Sequence, residues 1–326
     1  MKATVQTHPN IAVIKYWGKR NIQLNLPAVS SLSVTLDTFH TTTTVCTDND
    51  TDIFFINGVE QRDSSHHKIA RFLNTIHPQR TKCRVISKNN FPTAAGLASS
   101  ASAFSALAYA TCLAFEKKEA NHWSRLSVMA RLGSGSACRS LWGGWVHWPK
   151  GELSDGSDSH GIPIADKNYW DLSVIVAVVD DQKKPISSRD GMLQTQRTSP
   201  LYPGWCDSSE NDISVAKSAI ENKDIHTLGT VMEHSTMKMH ATMLSANPSI
   251  CYLRPKSLEI IELIKTLRLE GYACYYTMDA GPNVKILCPQ EQSVDISNRL
   301  QERLPSQVHI LGIGGNARIC KTHLAI

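Results

Sequence analysis

Three short stretches of this chain gather residue types suited to acting on a charged, phosphorylated small molecule. The first, Lys15-Tyr16-Trp17-Gly18-Lys19, puts two cations and two aromatics in five residues. A strand points alternate residues to one side, so Lys15 and Lys19 share a face if the extended backbone runs that far. Two ammonium groups side by side repel unless anions lie between them; a solvated pair beside an aromatic core anchor is the plainer alternative. The second stretch is Ser134-Gly135-Ser136-Ala137-Cys138-Arg139-Ser140. Its Gly/Ser turn offers backbone N–H groups to an anion, and Arg139 offers a fork to a carboxylate or phosphate. A structural turn with a surface arginine reads the same way. The third centres on Asp279 in Thr277-Met278-Asp279-Ala280-Gly281-Pro282-Asn283, where the carboxylate is either a turn-maker or a group facing a substrate. Beside Lys15 and Arg139 it would be ionised at neutral pH, as base or as electrostatic positioner.

A fourth stretch suits phosphate. Phe91-Pro-Thr-Ala-Ala-Gly-Leu-Ala-Ser-Ser-Ala101 follows a short β-like run and precedes an almost uncharged helix-forming segment, Ala101 to Phe115. A small-residue loop at a helix start presents free N–H groups at the positive end of the dipole. Gly96 and the alanines allow close backbone approach, and Ser99 and Ser100 add hydroxyls for phosphate oxygens or a magnesium ion. The Gly-Lys-Ser/Thr signature of the standard P-loop is absent. A tightly packed Ser/Ala-rich core helix is the competing reading. Ser187-Ser188-Arg189-Asp190-Gly191-Met192 reads locally as a loop after a strand with an exposed arginine.

The elements that must position these groups follow from periodicity. Strands are expected at Ile11–Ile14, Ser30–Leu36, Thr41–Cys46 and Ile53–Ile56, the last entering an Asn57-Gly58 hairpin turn. Helices are expected over His67–Ile76 and Ser124–Leu132, with a glycine-rich segment from Gly133 to Gly144 and a Gly/Ser/Asp-rich loop over 151–168. A buried strand at Leu172–Val179 then leads to helices at 210–222, 226–243 and 255–269. Strands at 273–278, 284–288 and 308–312, with a helix at 292–304, complete an order that resembles a ferredoxin-like α+β half. At 326 residues the chain suggests two domains, 1–168 and 169–326.

Composition excludes several classes. With 41% hydrophobic and 19% charged residues the chain is an ordinary globular protein. Its net charge of +5 is not gathered into a basic block, so no nucleic-acid partner is expected, whereas an anionic substrate suits it. The nine cysteines are scattered without metal-like spacing, which points to free thiols in the cytoplasm. No apolar leader and no run near the ~18 residues of a membrane span are present, so no membrane association is expected.

The run Pro92 to Ala101 resembles the phosphate-binding motif of the GHMP kinases, and the flanking Asn89-Asn90-Phe91-Pro92-Thr93 narrows the resemblance to the diphosphomevalonate decarboxylase family. Asn10 to Arg20 resembles that family's N-terminal signature. Leu26-Pro27, Ser30 to Leu36 and Met239-His240-Ala241-Thr242 also follow its pattern, so the resemblance spans Asn10 to about Asn283. It implies an α+β GHMP kinase fold, with an N-terminal half like ribosomal protein S5 domain 2 and a ferredoxin-like C-terminal half. It also implies ATP and Mg2+ as cofactors, 5-diphosphomevalonate as substrate and a homodimer. ATP would lie on Asn90, Pro92, Ala95, Gly96, Leu97, Ala98, Ser99, Ser100 and Ser102, with Ser100 on the metal. The catalytic residues implied are Asp279, Lys15 and Arg139. Tyr16, Trp17, Gly18, Lys19, Ser134 to Arg139, Ser188, Arg189 and Met192 would bind substrate, with Arg139 on its carboxylate. Lys68 stands where the family often carries arginine, and Arg189 where eukaryotic members often carry threonine, which suggests a bacterial-type diphosphate site. A mevalonate 3-kinase, a phosphomevalonate decarboxylase or a non-catalytic relative of the same fold remain as alternatives.

Overall fold

The computed structural model describes residues 1–47, 49–91, 99–180, 186–304 and 308–325. In chain order the first half carries β1 (Lys2–Thr7), β2 (Asn10–Ile14), β3 (Lys19–Asn21), β4 (Leu26–Pro27), β5 (Ser31–Thr35) and β6 (Thr41–Thr47). It continues with β7 (Ile53–Ile56), β8 (Val59–Glu60), α1 (Ser64–Ile76), β9 (Cys83–Asn89), α2 (Ser99–Ala114), α3 (Trp123–Gly133), β10 (Trp145–Trp148) and β11 (Ile162–Ala165). The second half comprises β12 (Leu172–Ala177), α4 (Ser188–Thr198), α5 (Tyr202–Glu221), α6 (Ile225–Leu244), α7 (Pro255–Leu269), β13 (Tyr275–Met278) and β14 (Val284–Pro289). It ends with α8 (Ser293–Gln301), β15 (Val308–Leu311) and β16 (Arg318–Ile319).

The second half has the expected α+β order, and its sheet runs β13-β14-β12-β15 with every pairing antiparallel, the split-βαβ arrangement. The first half builds a six-stranded sheet, β16-β1-β6-β9-β7-β8, and a four-stranded one, β11-β10-β5-β2. Asn57 and Gly58 both take positive φ, as the hairpin between β7 and β8 requires. The chain then returns on itself: β16 pairs with β1, and Leu36 bridges Ile313, so the last residues complete the first half's sheet.

Helix α2 is buried almost all round, which its uncharged, small-residue sequence permits. Thr7 donates to the Ser102 carbonyl at 2.7 Å and the Thr41 and Ser102 hydroxyls meet at 2.7 Å, fixing the helix start over β1 and β6. One hydrophobic core joins the two halves: Ile11, Ile14, Val34 and Trp145 pack with Val174, Val176, Ile213 and Leu228. The strand that delivers Lys15 is thus held by both halves at once.

Several local expectations are corrected. Ser187–Met192 is not a loop: Ser187 caps α4 by accepting from the Asp190 N–H at 3.1 Å, and the helix lacks the apolar period that would have announced it. Helix α5 begins at Tyr202, because proline is tolerated in a first helical turn. The 151–168 loop contains β11, a short half-exposed edge strand in which Pro163 can sit. Among the described residues no helix is long and apolar enough to cross a membrane.

Candidate active site

Strand β2 ends at Ile14 and hands on Lys15, whose backbone N–H donates to the Ser235 hydroxyl on α6 at 3.1 Å. The Lys15 ammonium donates to the Ala12 carbonyl at 2.9 Å and to Asp279 Oδ1 at 2.7 Å. Asp279 follows β13 directly, and its second oxygen lies 3.2 Å from Lys285 Nζ on β14. Both lysine side chains are 1% exposed while that of Asp279 is 29% exposed, so the carboxylate is the open face of a buried cationic seat. Burial pushes the Asp279 carboxyl upward, but Lys15 and Lys285 outweigh it and hold it well below the usual carboxylate range. Burial lowers the Lys15 ammonium to about 8, partly offset by Asp279.

Arg139 is fully enclosed. Its Nε and Nη2 donate to Asn10 Oδ1 at 3.3 and 3.2 Å, Nη1 donates to Ser31 Oγ, and the guanidinium lies 5.5 Å from the Trp148 ring centroid. None of these partners is acidic, so the charge keeps its reach for an anion. Burial pulls the group below its ordinary value, and Asp279 is among the charges that offset this, so the two groups share one field. Asn10 also donates to the Ser136 carbonyl at 3.1 Å and to Ser140 Oγ at 2.7 Å, so one asparagine sets both the arginine and its loop. That loop is a 3-10 turn, Gly135–Arg139, behind Ser134. Ala137 and Cys138 are buried in it, and burial pushes the Cys138 thiol up to about 12, so both side chains face the protein interior.

Lys15 and Lys19 do not share a face. Gly18 turns the chain at φ +95°, where a Cβ would strike Tyr202, and Lys19 begins β3 on the far side of that turn. Lys19 Nζ donates to Asn25 Oδ1 at 2.6 Å. Burial, with Arg189 and Lys68 adding to it, lowers its ammonium to about 8, so these three cations gather in one place. Arg189 is exposed near the start of α4 beside half-buried Ser188, and Lys68 on α1 lies 5.0 Å from the Phe104 ring centroid. Among the described residues no carboxylate pairs with any of the three. Between this patch and Arg139 stands Tyr16, its ring tilted against Trp148 at 4.8 Å between centroids and its buried hydroxyl without a partner among the described residues. Trp17 and Met192 pack instead with Trp205 and Met239 in a core cluster beneath the patch.

At the start of α2, Ser99 and Ser100 are half-buried, and Ser100 Oγ lies 3.1 Å from Ser134 Oγ, which is 3.5 Å from Ser136 Oγ. Three neutral hydroxyls beside a helix N-terminus suit phosphate oxygens. No group of acidic or histidine side chains poised for a metal occurs among the described residues, so a magnesium ion here would need phosphate oxygens for most of its ligands. Ser102 turns its hydroxyl to Thr41 and the Ser99 carbonyl, and Asn90 spans the His40 N–H and the Thr38 carbonyl. Pro92, Ala95, Gly96, Leu97 and Ala98 lie outside the described residues.

Sequence reasoning missed Lys285, and did not place Asn10 or Ser31 in the site. The only signal for Lys285 is a lysine inside the otherwise apolar run Val284 to Cys288. His240 was seen only as a pattern residue. It is buried on α6, and its ring is held to about 4 by burial and by Lys15.

Two family models cover the chain: the diphosphomevalonate decarboxylase-like N-terminal domain over residues 7–161 and the mevalonate 5-diphosphate decarboxylase C-terminal domain over 174–318. The chain is 38% identical to the diphosphomevalonate decarboxylase of Ganoderma lucidum over 334 residues, covering 93% of this chain and 82% of that one. It is also 38% identical to that of Saccharomyces cerevisiae over 304 residues, covering 86% and 76%. The crystal structure of mevalonate diphosphate decarboxylase from Staphylococcus aureus superposes with TM-score 0.93 at 37% identity over 98% of both chains. A structure of MDDEF in complex with MVAPP, AMPPCP and magnesium superposes with TM-score 0.92 at 40% identity over 99% of both. Matched in both halves, and with the lysine, arginine and aspartate of its motifs drawn into one electrostatic field, the chain belongs to the diphosphomevalonate decarboxylase family.

Proposed function

We propose that this enzyme converts (R)-5-diphosphomevalonate to isopentenyl diphosphate in the mevalonate pathway of isoprenoid biosynthesis, using ATP and releasing ADP, phosphate and carbon dioxide. The observation that carries the reading is a single ionised carboxylate, Asp279, seated on Lys15 and facing outward in the field of an acid-free arginine, Arg139.

A tertiary alcohol leaves poorly, and direct loss of carbon dioxide would strand a carbanion. ATP with Mg2+ supplies the phosphoryl group that makes the 3-oxygen a leaving group. Asp279 aligns the 3-hydroxyl and receives or polarises its proton, while Lys15 keeps that carboxylate charged and neutralises charge that develops beside it. Arg139 holds the C1 carboxylate in one plane until the double bond closes. Lys19, Arg189 and Lys68 take the diphosphate, with the Tyr16 hydroxyl between the two ends of the substrate. The hydroxyls of Ser99 and Ser100 suit the nucleotide phosphates, and Ser100 suits the metal. Positioning and charge stabilisation supply most of the acceleration, as is usual in phosphoryl transfer.

The three-cation patch favours a diphosphate over the 5-monophosphate or the free alcohol, and the seated Asp279 with Arg139 favours decarboxylation over a 3-kinase or a binding-only role. A cytoplasmic homodimer is the assembly and location this reading implies; the nine free cysteines support a reducing compartment. Product analysis tests the function. Supplied with ATP and 5-diphosphomevalonate, the enzyme should release ADP and carbon dioxide in equal amounts, and the 5-phosphate and mevalonate should react far more slowly. ADP without carbon dioxide, or equal turnover of the shorter substrates, would overturn it.

A further inference from the structure

We propose that Lys285 is a further positioning residue of the reaction, the second jaw of a two-ammonium clamp that fixes the plane of the Asp279 carboxylate. The inference rests on the role given to Asp279 above. Lys15 grips Oδ1 at 2.7 Å and Lys285 lies 3.2 Å from Oδ2. A carboxylate held at one oxygen can swing about its terminal torsion, whereas one held at both presents its remaining lone pairs in a fixed direction.

The position of Lys285 is itself unusual. It lies on β14, flanked on both sides in the sheet: it is opposite Thr277 on β13 and Val176 on β12. Leu287, two residues on, and Tyr275 and Val176 on the neighbouring strands lie in the core that joins the halves, so the pattern of this face asks for an apolar side chain. A fully buried ammonium there costs desolvation that an anionic partner offsets, and among the described residues Asp279 is such an anion, 3.2 Å away.

Closing the turn after Asp279 does not account for this lysine. That turn is already held by the Gly281 N–H on the Asp279 carbonyl at 2.7 Å and the Ser257 hydroxyl on the Pro282 carbonyl at 2.6 Å. Asn283 Oδ1 also accepts from the Val179 and Asp180 N–H groups at 2.8 and 3.0 Å. Lys285 also donates to the Asn283 carbonyl at 3.3 Å.

The charged and titratable groups around the clamp are Lys15 at the end of β2, Arg139 from the turn after α3, His240 from α6 and Lys285 itself. The Lys285 charge acts on Lys15 as well as on Asp279, lowering the one and helping to hold down the other. Removing it therefore raises the Lys15 titration, and the positioning role is read from the loss of kcat that accompanies that shift.

The test follows the lysine side chains by NMR in full-length protein labelled at the lysine ε-carbon, with the Lys15 signal identified by its loss in Lys15→Arg. In the wild type Lys15 should titrate near 8. Lys285→Met should raise that midpoint by about one pH unit and lower kcat by about tenfold or more, with KM for both substrates changed less than threefold. Lys285→Arg, which keeps the charge, should leave the midpoint in place and recover most of kcat. An unmoved Lys15 midpoint in Lys285→Met, or wild-type kcat in that variant, overturns the proposal. So does an equal shift in both variants, and the arginine variant serves if the methionine one does not fold. Full turnover in Asp279→Asn would instead overturn the underlying role of Asp279 and leave the lysine coupling measurable.

Discussion

The two cationic regions of this site solve opposite problems. In the first, buried Lys15 and Lys285 share one aspartate that the protein itself supplies, which offsets part of their charge. At the second patch, proposed to take the diphosphate, Lys19, Lys68 and Arg189 have no acid among the described residues and are left with mutual repulsion. The centre is therefore built before ligand arrives and must not rearrange during chemistry, as electrostatic preorganisation demands. An anion bound at the patch would relieve that repulsion, which is how the proposed diphosphate contact would gain affinity. Losses at the centre should appear in kcat, and losses at the patch in KM.

The sharpest way to break this contrast is Asp279→Asn. It keeps the shape of the side chain but removes the anion between two ammoniums, and kcat should fall by about 10²–10⁴ with substrate KM within a few-fold. Steady-state kinetics following ADP and carbon dioxide together will show it. A rise in KM with unchanged kcat would make the centre a binding region like the patch.

Arg139→Lys comes next, since a lysine cannot reach Asn10 and Ser31 while also forking to a carboxylate. Carbon dioxide and ADP formation should slow together by about 10- to 100-fold, the worth of a charge-assisted hydrogen bond. Rapid-quench measurement of both products is the check, and ADP outrunning carbon dioxide would show that the arginine serves only the second half-reaction.

On the patch side, Arg189→Gln should raise KM for the diphosphate substrate about tenfold and leave kcat nearly unchanged. Raising ionic strength should act in the same direction on the exposed Arg189 contact and barely touch the buried centre. Kinetics at low and high salt compare the two regions directly.

The smallest effect is a proton count. Lys19 is held to about 8 before ligand binds, and a bound diphosphate favours its charged form and raises that value. Above pH 8 substrate binding should therefore take up a fraction of a proton, and affinity should fall as pH rises through 8. Calorimetry in buffers of different ionisation enthalpy measures the uptake. Proton release would place the diphosphate away from Lys19.

The strings that make up the candidate site could be picked out along the chain because each motif is local. Their residues alone left a structural reading open, and the proposed roles came from the family resemblance. The Lys15 to Lys19, Ser134 to Ser140 and Thr277 to Asn283 strings carry their own turn chemistry and their own charge. The second half's strand and helix order was legible for the same reason, as the periodicity of β12, α5–α7 and β14 is set by which side chains face the core. Where local signals conflicted, reading failed: α4 lacks an apolar stripe, and β11 hides in a Gly/Ser/Asp-rich run with a proline inside it.

Long-range pairing belongs to the tertiary structure alone. Lys15 and Asp279 stand 264 residues apart and meet at 2.7 Å, since α6 bonds the end of β2 through Ser235 and packs Thr236 against Thr277 of β13 at 2.9 Å. The expected shared face of Lys15 and Lys19 was undone by the turn at Gly18, which assigns one lysine to the reacting centre and the other to the patch. Lys285 is the clearest case. In sequence it is a lysine in a strand and would be placed facing water; only the sheet, which puts it opposite Thr277 and beside an aspartate, makes its burial tolerable. Sequence determined which groups are available and how each local turn presents them. The fold decided which charges share a low-dielectric interior, because the strength of a charge pair depends on distance and burial, and neither is written along the chain.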